Sequence, residues 1–339
     1  MLDLLVNEEE AMIAASVRDY LSSEFPVERL RPNAKALDAA RIRRGMYELG
    51  WFSIGLPEAA GGAGLGLVEE MLVQRECGRY LARPSELAVV LAAHCAFHAG
   101  NPELVGALVS GQTGVALAFP AVQDGAAKRV AAQVLDWNDG DLLLFWNEQG
   151  MGLFDASATN GFELDSCIDE SVRMHALMLD LGKPLLWVDA AKAPLHRIAA
   201  VLLAARMVGL AEHACDLTVE YARMREQFKQ PIGAFQAVKH RCADMGVRWR
   251  LAWYQTNLAA LTVQAGAGDA DLNAASAKLV AAQAAHENGR AAIQMHGGIG
   301  FQAECDVHWF MKRAHLYDQI GGAVRVQARR IVAQAPSAA

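Results

Sequence analysis

Four long helical segments at the end of the chain constrain its fold most strongly. From Pro194 onward, residues that favour helix starts and stops delimit segments at about 195–225, 235–264, 271–295 and 312–333. The loop at 265–269 is short enough to make its two flanking helices antiparallel neighbours. This pattern predicts a C-terminal four-helix bundle, with domain bounds at 191–339.

The preceding residues divide into two regions of different texture. Asn7 can cap a helix whose first turn holds Glu8, Glu9 and Glu10, and the helical pattern predicts an N-terminal helical domain over 1–113. Between 114 and 190, short apolar runs such as Leu142–Trp146 are separated by turn residues. We therefore expect a shortened β domain that is stabilised by packing against its neighbours, and a mainly α fold overall.

Composition and charge exclude several classes of function. A formal charge of −7 and a pI near 5.8 argue against a nucleic-acid partner, which requires a basic face. The apolar stretch 198–210 is short and carries Arg206, so it indicates a buried helix and not a membrane span. The N-terminus lacks the positive start of a secretory signal, and the six cysteines form no Cys-x-x-Cys pair. We expect a cytoplasmic protein without a metal site.

Two segments in the last third could bind a ligand, and the first begins at Arg225. An arginine here could form paired hydrogen bonds with a pyrophosphate, and Phe228 could cover a planar ring, with Gln227 between them. Taken alone, the motif favours a simpler interpretation, in which Arg225 is exposed at a helix end and Phe228 lies in the core.

The second segment is rich in glycine and follows a helix that ends near Gln294. Gly297, Gly298 and Gly300 would allow positive φ angles and the close approach of a ligand to bare peptide groups. One glycine is enough to end a helix, so three in four positions favour a ligand or a tight subunit contact. No strand precedes them, which excludes a Rossmann fingerprint.

Read together, these segments resemble the acyl-CoA dehydrogenase family over nearly the whole chain. The resemblance rests on 48–51 with the glycine-rich 57–66, and on 207–210, 225–236, 243–245, 294–301 and 304–306, all at family spacing. It implies an N-terminal helical domain, a middle β domain and a C-terminal four-helix bundle, assembled as a dimer of dimers.

The resemblance also implies FAD as cofactor, acyl-CoA as substrate and an electron-transfer flavoprotein as electron acceptor. In the family, the two segments reach across a dimer interface to the partner's FAD. The residues implied to contact FAD are Arg225, Gln227, Phe228, Gln236, Gln294, Met295, His296, Gly297 and Gly298.

The positions of the family's catalytic base depart from the pattern. Gly321 stands where most members carry a glutamate, and Ala199, followed by Ala200 in place of a usual arginine, stands at the alternative position. The loop that holds the flavin ring in the family corresponds to 118–125, which keeps only its proline and aspartate. Asp318 lies three residues before Gly321 and is expected to face the same side of a helix, so it is the weak candidate for a relocated base.

The favoured hypothesis is a base-lacking subunit that completes the FAD site of a full-length acyl-CoA dehydrogenase in a heterotetramer. Such heteromers are known in the family from bacterial steroid side-chain degradation, and their reaction forms a 2,3-enoyl-CoA in lipid metabolism. One alternative is a self-sufficient homodimer or homotetramer that uses Asp318. Two others are a flavin monooxygenase on the same fold and a structural protein without flavin.

Overall fold

Helices, a sheet and again helices follow one another along the chain, in a computed structural model that describes residues 4–121, 129–156 and 162–334. The order confirms the predicted fold class. The N-terminal helices are α1 Glu8–Glu24, α2 Ala39–Glu48, α3 Leu67–Arg79, α4 Pro84–Ala99 and α5 Pro102–Val109. The strands are β1 Val115–Pro120, β2 Arg129–Leu135, β3 Leu142–Trp146, β4 Gly150–Asp155, β5 Glu163–Asp165, β6 Met174–Asp180 and β7 Leu186–Asp189. The C-terminal helices are α6 Leu195–Met224, α7 Gln236–Gln264, α8 Ala270–His296, α9 Val307–Gln319 and α10 Val324–Gln334, with a hairpin of β8 Glu226–Gln227 and β9 Gln230–Pro231 between α6 and α7.

The N-terminal cap of α1 forms as the sequence predicts. The Asn7 side chain accepts a hydrogen bond from the Glu10 amide at 2.9 Å, and the Glu10 carboxylate accepts one from the Asn7 amide at 2.9 Å. This reciprocal pair satisfies two backbone donors that the helix itself leaves free.

The sheet has both faces covered by apolar side chains. Its strand order is β5-β6-β2-β1-β3-β4-β7, and β1 and β3 are parallel whereas the other neighbours are antiparallel. On β3, Leu144 and Trp146 belong to the main core shared with α4, while Leu143 and Phe145 belong to a second cluster on the opposite face. The predicted run Leu142–Trp146 is thus confirmed as a strand, and one face of the sheet packs against α4.

Helices α6, α7 and α8 form the centre of the bundle, within two residues of their predicted bounds. Helix α6 is long and apolar enough to cross a membrane, but 83% of its most apolar window is buried inside the protein. It crosses α3 at glycines: a Cβ on Gly78 would lie 2.1 Å from the Arg206 carbonyl oxygen, and one on Gly209 would lie 2.0 Å from that of Arg75. The two helices therefore touch backbone to backbone.

The predicted fourth helix over 312–333 is wrong, because it is two helices. Helix α9 ends at Gln319, and α10 begins at Val324 after Gly321 and Gly322, whose φ angles are +68° and +99°. L-residues with side chains rarely adopt such angles, so the glycine pair breaks the helix. Asp318 accepts a hydrogen bond from the Val324 amide at 3.0 Å. The expectation that Asp318 and Gly321 share one helix face is corrected accordingly.

The Arg313 side chain on α9 contacts both the N-terminal helical region and the sheet region. Its guanidinium is buried, forms an ion pair with Asp169 and donates to the Ser171 hydroxyl at 2.9 Å, both in the segment between β5 and β6. It also donates to the Ala82 carbonyl oxygen at 2.7 Å, just before α4. Burial alone would lower the pKa of Arg313, but the charge of Asp169 raises it above its ordinary value. This junction fixes the sheet against the bundle.

Candidate functional site

The ends of α6 and α8 meet at one open depression of about 530 Å³. We call it the α6–α8 surface. Six of the nine predicted cofactor residues line it together: Arg225, Gln227, Met295, His296, Gly297 and Gly298. Segments that are 70 residues apart in the sequence therefore lie together at this depression.

Short-range contacts hold the two segments of the α6–α8 surface in place. The Ile232 amide donates to the Arg225 carbonyl oxygen at 2.7 Å, which closes the hairpin. The Tyr221 ring on α6 stacks on the His296 ring on α8, with centroids 4.2 Å apart. Burial lowers the pKa of His296, whose Nδ1 lies 2.8 Å from the Ala292 carbonyl oxygen. His296 is therefore a neutral packing residue, which leaves Arg225 as the cation of this depression.

Phe228 lies at the tip of the hairpin and is 87% exposed. The simpler interpretation from sequence, which placed it in the core, is wrong. Phe228 and Lys229 both have positive φ angles, +54° and +66°, and the Phe228 ring meets the Phe235 ring edge-on at 6.1 Å. The backbone thus turns an aromatic side chain outward, next to Arg225.

Two predicted residues lie beside the α6–α8 surface. Gln236 is exposed at the start of α7. Gln294 is exposed on α8 and lines a neighbouring recess of about 300 Å³ together with Arg241, Arg248 and Arg290. That recess also holds Glu287, which pairs with Arg290 at 3.3 Å, so Arg241 and Arg248 supply its remaining positive charge.

The three glycines after α8 differ in whether packing or the backbone angle requires a glycine. A Cβ on Gly300 would lie 2.7 Å from the Ile293 carbonyl oxygen, so packing inside the chain requires that glycine. Gly297 has a φ of +64°. A Cβ on Gly298 would meet no described atom within 4 Å, and its φ is not positive. At Gly298, therefore, neither the backbone angle nor packing against the described residues requires a glycine.

A second cavity, of about 360 Å³, lies between the sheet and the bundle. We call it the Gly321 cleft, since Gly321 and Ala200 both line it, while Ala199 is buried beside it. A Cβ on Gly321 would lie 3.3 Å from Nε1 of Trp146 and 3.7 Å from Cδ1 of Leu203. The two positions at which the resemblance places a base thus lie near each other, and neither bears a carboxylate.

Lys278 is a residue of the Gly321 cleft that sequence reasoning missed. It is fully buried and donates to the Asp318 carbonyl oxygen at 3.1 Å and to the Gly322 carbonyl oxygen. Burial lowers its pKa to about 7. Its position offered a signal, because it follows Ala274 by four residues and precedes Ala281 by three, on the buried face of α8.

Asp318 points away from the Gly321 cleft. It lies 3.8 Å from Nε2 of His286 and lines a separate cleft of about 650 Å³ with His315. Burial alone would raise the pKa of Asp318, but the hydrogen bond from His286 and the charge of Lys278 lower it overall. Asp318 is thus an ionised carboxylate in another cleft.

Other predicted features fall partly or wholly outside these cavities. Of the loop at 118–125, residues 122–125 lie outside the described residues, and the rest forms the end of β1 and its next residue. In the described ranges, no group of three or more histidine, cysteine, aspartate or glutamate side chains is placed to hold a metal ion.

Comparisons with known proteins identify the family. Residues 7–108 match the model for the acyl-CoA dehydrogenase N-terminal domain, and residues 191–335 match that for the C-terminal domain. Acyl-CoA dehydrogenase IpdE2 of Mycobacterium tuberculosis is 33% identical over 289 residues, which cover 84% of this chain and 83% of the relative.

Solved structures agree with the sequence comparison. The ChsE4-ChsE5 complex from Mycobacterium tuberculosis matches with a TM-score of 0.82 and 25% identity, over 99% of this chain and all of the matched chain. Butyryl-CoA dehydrogenase from Megasphaera elsdenii shares the fold, with a TM-score of 0.80 and 19% identity over 98% of this chain and 99% of the matched one. The chain belongs to the acyl-CoA dehydrogenase family, whose members are FAD-dependent oxidoreductases.

Proposed function

We propose that this chain is the base-lacking subunit of a heteromeric acyl-CoA dehydrogenase and completes the FAD site of a catalytic partner subunit. The observation that carries the proposal is the contrast between two sites on one chain. The Gly321 cleft has no base where the family needs one, whereas the α6–α8 surface keeps Arg225 and the glycine segment and faces outward.

The chemistry of the Gly321 cleft argues against catalysis by this chain. Removal of an α-proton from an acyl thioester requires a carboxylate within hydrogen-bonding reach of that proton. Among the described residues, Glu148 is the one carboxylate that lines the cleft, and it is 77% exposed beside Arg330. No buried carboxylate is among the described lining residues, and the side chains next to Gly321 are those of Trp146 and Leu203.

The α6–α8 surface suits FAD in its chemistry. The Arg225 guanidinium can donate paired hydrogen bonds to a pyrophosphate, and the bare backbone at Gly298 allows close approach. The outward ring of Phe228 offers a face for a planar group. FAD, when bound, supplies the acceptor for hydride in this family. Because the surface faces outward and lies apart from the Gly321 cleft, we infer that it serves the cofactor of a second subunit.

The comparisons support a partner subunit without identifying it. ChsE4-ChsE5 is a complex of two different chains, and one chain of it aligns with 99% of this chain. The remaining parts of the proposal are a full-length partner in a heterotetramer, a bulky acyl-CoA substrate of the steroid-degradation type, electron-transfer flavoprotein as acceptor, and a cytoplasmic location. The homomeric alternative loses its candidate base, because Asp318 lines another cleft.

Flavin content tests the proposal directly. The chain should be purified alone and after co-expression with a full-length acyl-CoA dehydrogenase encoded nearby. We expect little flavin in the chain alone, and about one FAD per pair of chains in the complex, which acyl-CoA then bleaches. Acyl-CoA bleaching of flavin bound to the chain alone would refute the proposal.

Arg225→Ala tests whether this chain contacts the partner's FAD, and Arg223→Ala is the matched control. Both arginines are exposed at the end of α6, but only Arg225 lines the α6–α8 surface. Loss of charge-assisted hydrogen bonds should weaken FAD binding to the complex roughly tenfold or more, with Arg223→Ala near wild type. Equal effects of the two variants would contradict the assignment of Arg225.

A further inference from the structure

We propose that the Gly321 cleft is a binding site for apolar carboxylic acids, in which no chemistry takes place. The inference does not depend on the proposed subunit role. It rests on what the cleft offers a ligand at the point where a catalytic carboxylate is absent.

The charges that line the cleft are mainly positive. Arg329 and Arg330 line it together with Glu148, the one carboxylate of the described lining, while burial lowers the pKa of two further lining residues, Lys278 to about 7 and His196. Arg330 meets Glu148 at 3.4 Å, and that carboxylate is largely exposed. Arg329 is exposed and makes no hydrogen bond or ion pair with the described residues. The cleft therefore has cationic groups that its own carboxylate does not neutralise.

The two carbonyl oxygens of the turn at the base of the cleft already accept two hydrogen bonds each. The Gly321 carbonyl oxygen accepts from Gln327 at 3.0 Å and from Arg330 at 3.1 Å. The Gly322 carbonyl oxygen accepts from Lys278 and from Gln327 at 2.8 Å. These carbonyls have no free lone pair for a further donor, so a ligand with hydrogen-bond acceptors fits this end better than a ligand with donors.

Apolar side chains also line the cleft. Phe145 and Trp146 come from β3, Leu203 comes from α6, and Val326 comes from α10. The Trp146 indole N–H makes no hydrogen bond with any described residue and lies beside Gly321. A cavity of about 360 Å³ that is lined by both apolar side chains and arginines is in the range of small-molecule sites. Its chemistry matches a carboxylate head with an apolar body.

Titration calorimetry of the full chain with decanoate tests this proposal. Decanol and decylamine are the controls, because they have a ten-carbon chain as well but carry a neutral and a cationic polar group, respectively. Decanoate should bind as one equivalent, at least tenfold more tightly than either analogue, because the arginines recognise the carboxylate. No heat from decanoate, or decylamine binding as tightly, would overturn the proposal.

Three variants on α10 locate the site. Arg329→Gln and Arg330→Gln should each weaken decanoate binding roughly tenfold, whereas Arg325→Gln, exposed on the same helix outside the lining, should change it less than twofold. Arg329→Gln removes no contact within the fold, so its result stands even if Arg330→Gln destabilises the protein. Unchanged binding by both lining variants would refute the site.

Decanoyl-CoA separates a free acid from an acyl thioester as the ligand. We expect the thioester to bind the cleft more weakly than decanoate, because it lacks the carboxylate that Arg329 and Arg330 would meet. Tighter binding of decanoyl-CoA, unchanged by both arginine substitutions, would show an acyl-thioester site in place of an acid site. That result overturns this inference and leaves the flavin test of the subunit role unaffected.

Discussion

Replacing Asp169 by Asn should destabilise the junction that holds the sheet against the bundle. Asp169 and Arg313 are each 1% exposed and form a buried ion pair. The substitution keeps the size of the side chain and removes one charge. Arg313 would keep its bonds to Ser171 and Ala82 but lose its counter-charge in a buried region.

The magnitude follows from the burial of the charge that remains. Removing one partner of a buried pair costs about 3–5 kcal/mol, and an amide oxygen that still accepts one hydrogen bond places the cost near the lower value, about 3 kcal/mol. A chain of 339 residues has an unfolding entropy near 0.7 kcal/mol/K, so the melting temperature should fall by about 4 °C.

Thermal unfolding followed by circular dichroism checks this value, with Glu170→Gln as the matched control. Glu170 is the next residue and also pairs with α9, at 2.6 Å from Lys312, but it is 67% exposed. An exposed pair contributes at most about 1 kcal/mol, so the control should lose no more than about 1–2 °C. If Asp169→Asn lowers the melting temperature no more than Glu170→Gln, the reasoning from burial is refuted.

Two further substitutions test the core. Burial raises the pKa of Asp136 to about 6 from 3.8; because the folded state binds this proton more tightly, wild-type stability falls as pH rises from about 4 to above 6. Over that pH range, the free energy of unfolding of Asp136→Asn, measured in urea, should therefore rise by up to about 3 kcal/mol relative to that of wild type. A difference between the two proteins that does not change with pH would contradict this prediction. Asn288 donates to the Ala211 and Met245 carbonyl oxygens at 3.0 Å each. Asn288→Ala should cost about 2 kcal/mol by urea unfolding, and a loss under about 0.5 kcal/mol would show that these bonds do not join α6 and α7 to α8.

Most of the fold could be predicted from the sequence because its helices have local boundaries. Asn7 and Pro194 mark helix starts by their own side-chain chemistry, and the first three bundle helices follow from such signals. The break at Gly321 and Gly322 was missed because residues on both sides continue the helical pattern. Long-range donors from Lys278 and Arg330 hold the turn, and no local pattern encodes them.

Part of the candidate site could likewise be predicted from the sequence, and part could not. The segments at Arg225 and Gly297 carry recognisable local chemistry, and their proximity follows from the common end of two neighbouring helices. Trp146 was recognisable only as part of a strand. Its contact with Gly321 depends on how the sheet rests on the bundle, which is set by buried junctions such as Arg313 with Asp169.

The hairpin after α6 is the feature that this chain alone explains least, and it favours a partner. Phe228 and Lys229 both adopt left-handed backbone angles, which cost about 1–2 kcal/mol each for residues with side chains. The turn places an aromatic ring in water at 87% exposure, so no core contact within the chain offsets that cost. Contacts made in an assembly would offset it, and Arg225, which precedes the hairpin, lines the α6–α8 surface together with Gly298. The energetics of the hairpin are thus consistent with the proposal that this chain completes a site whose reacting groups lie on another chain.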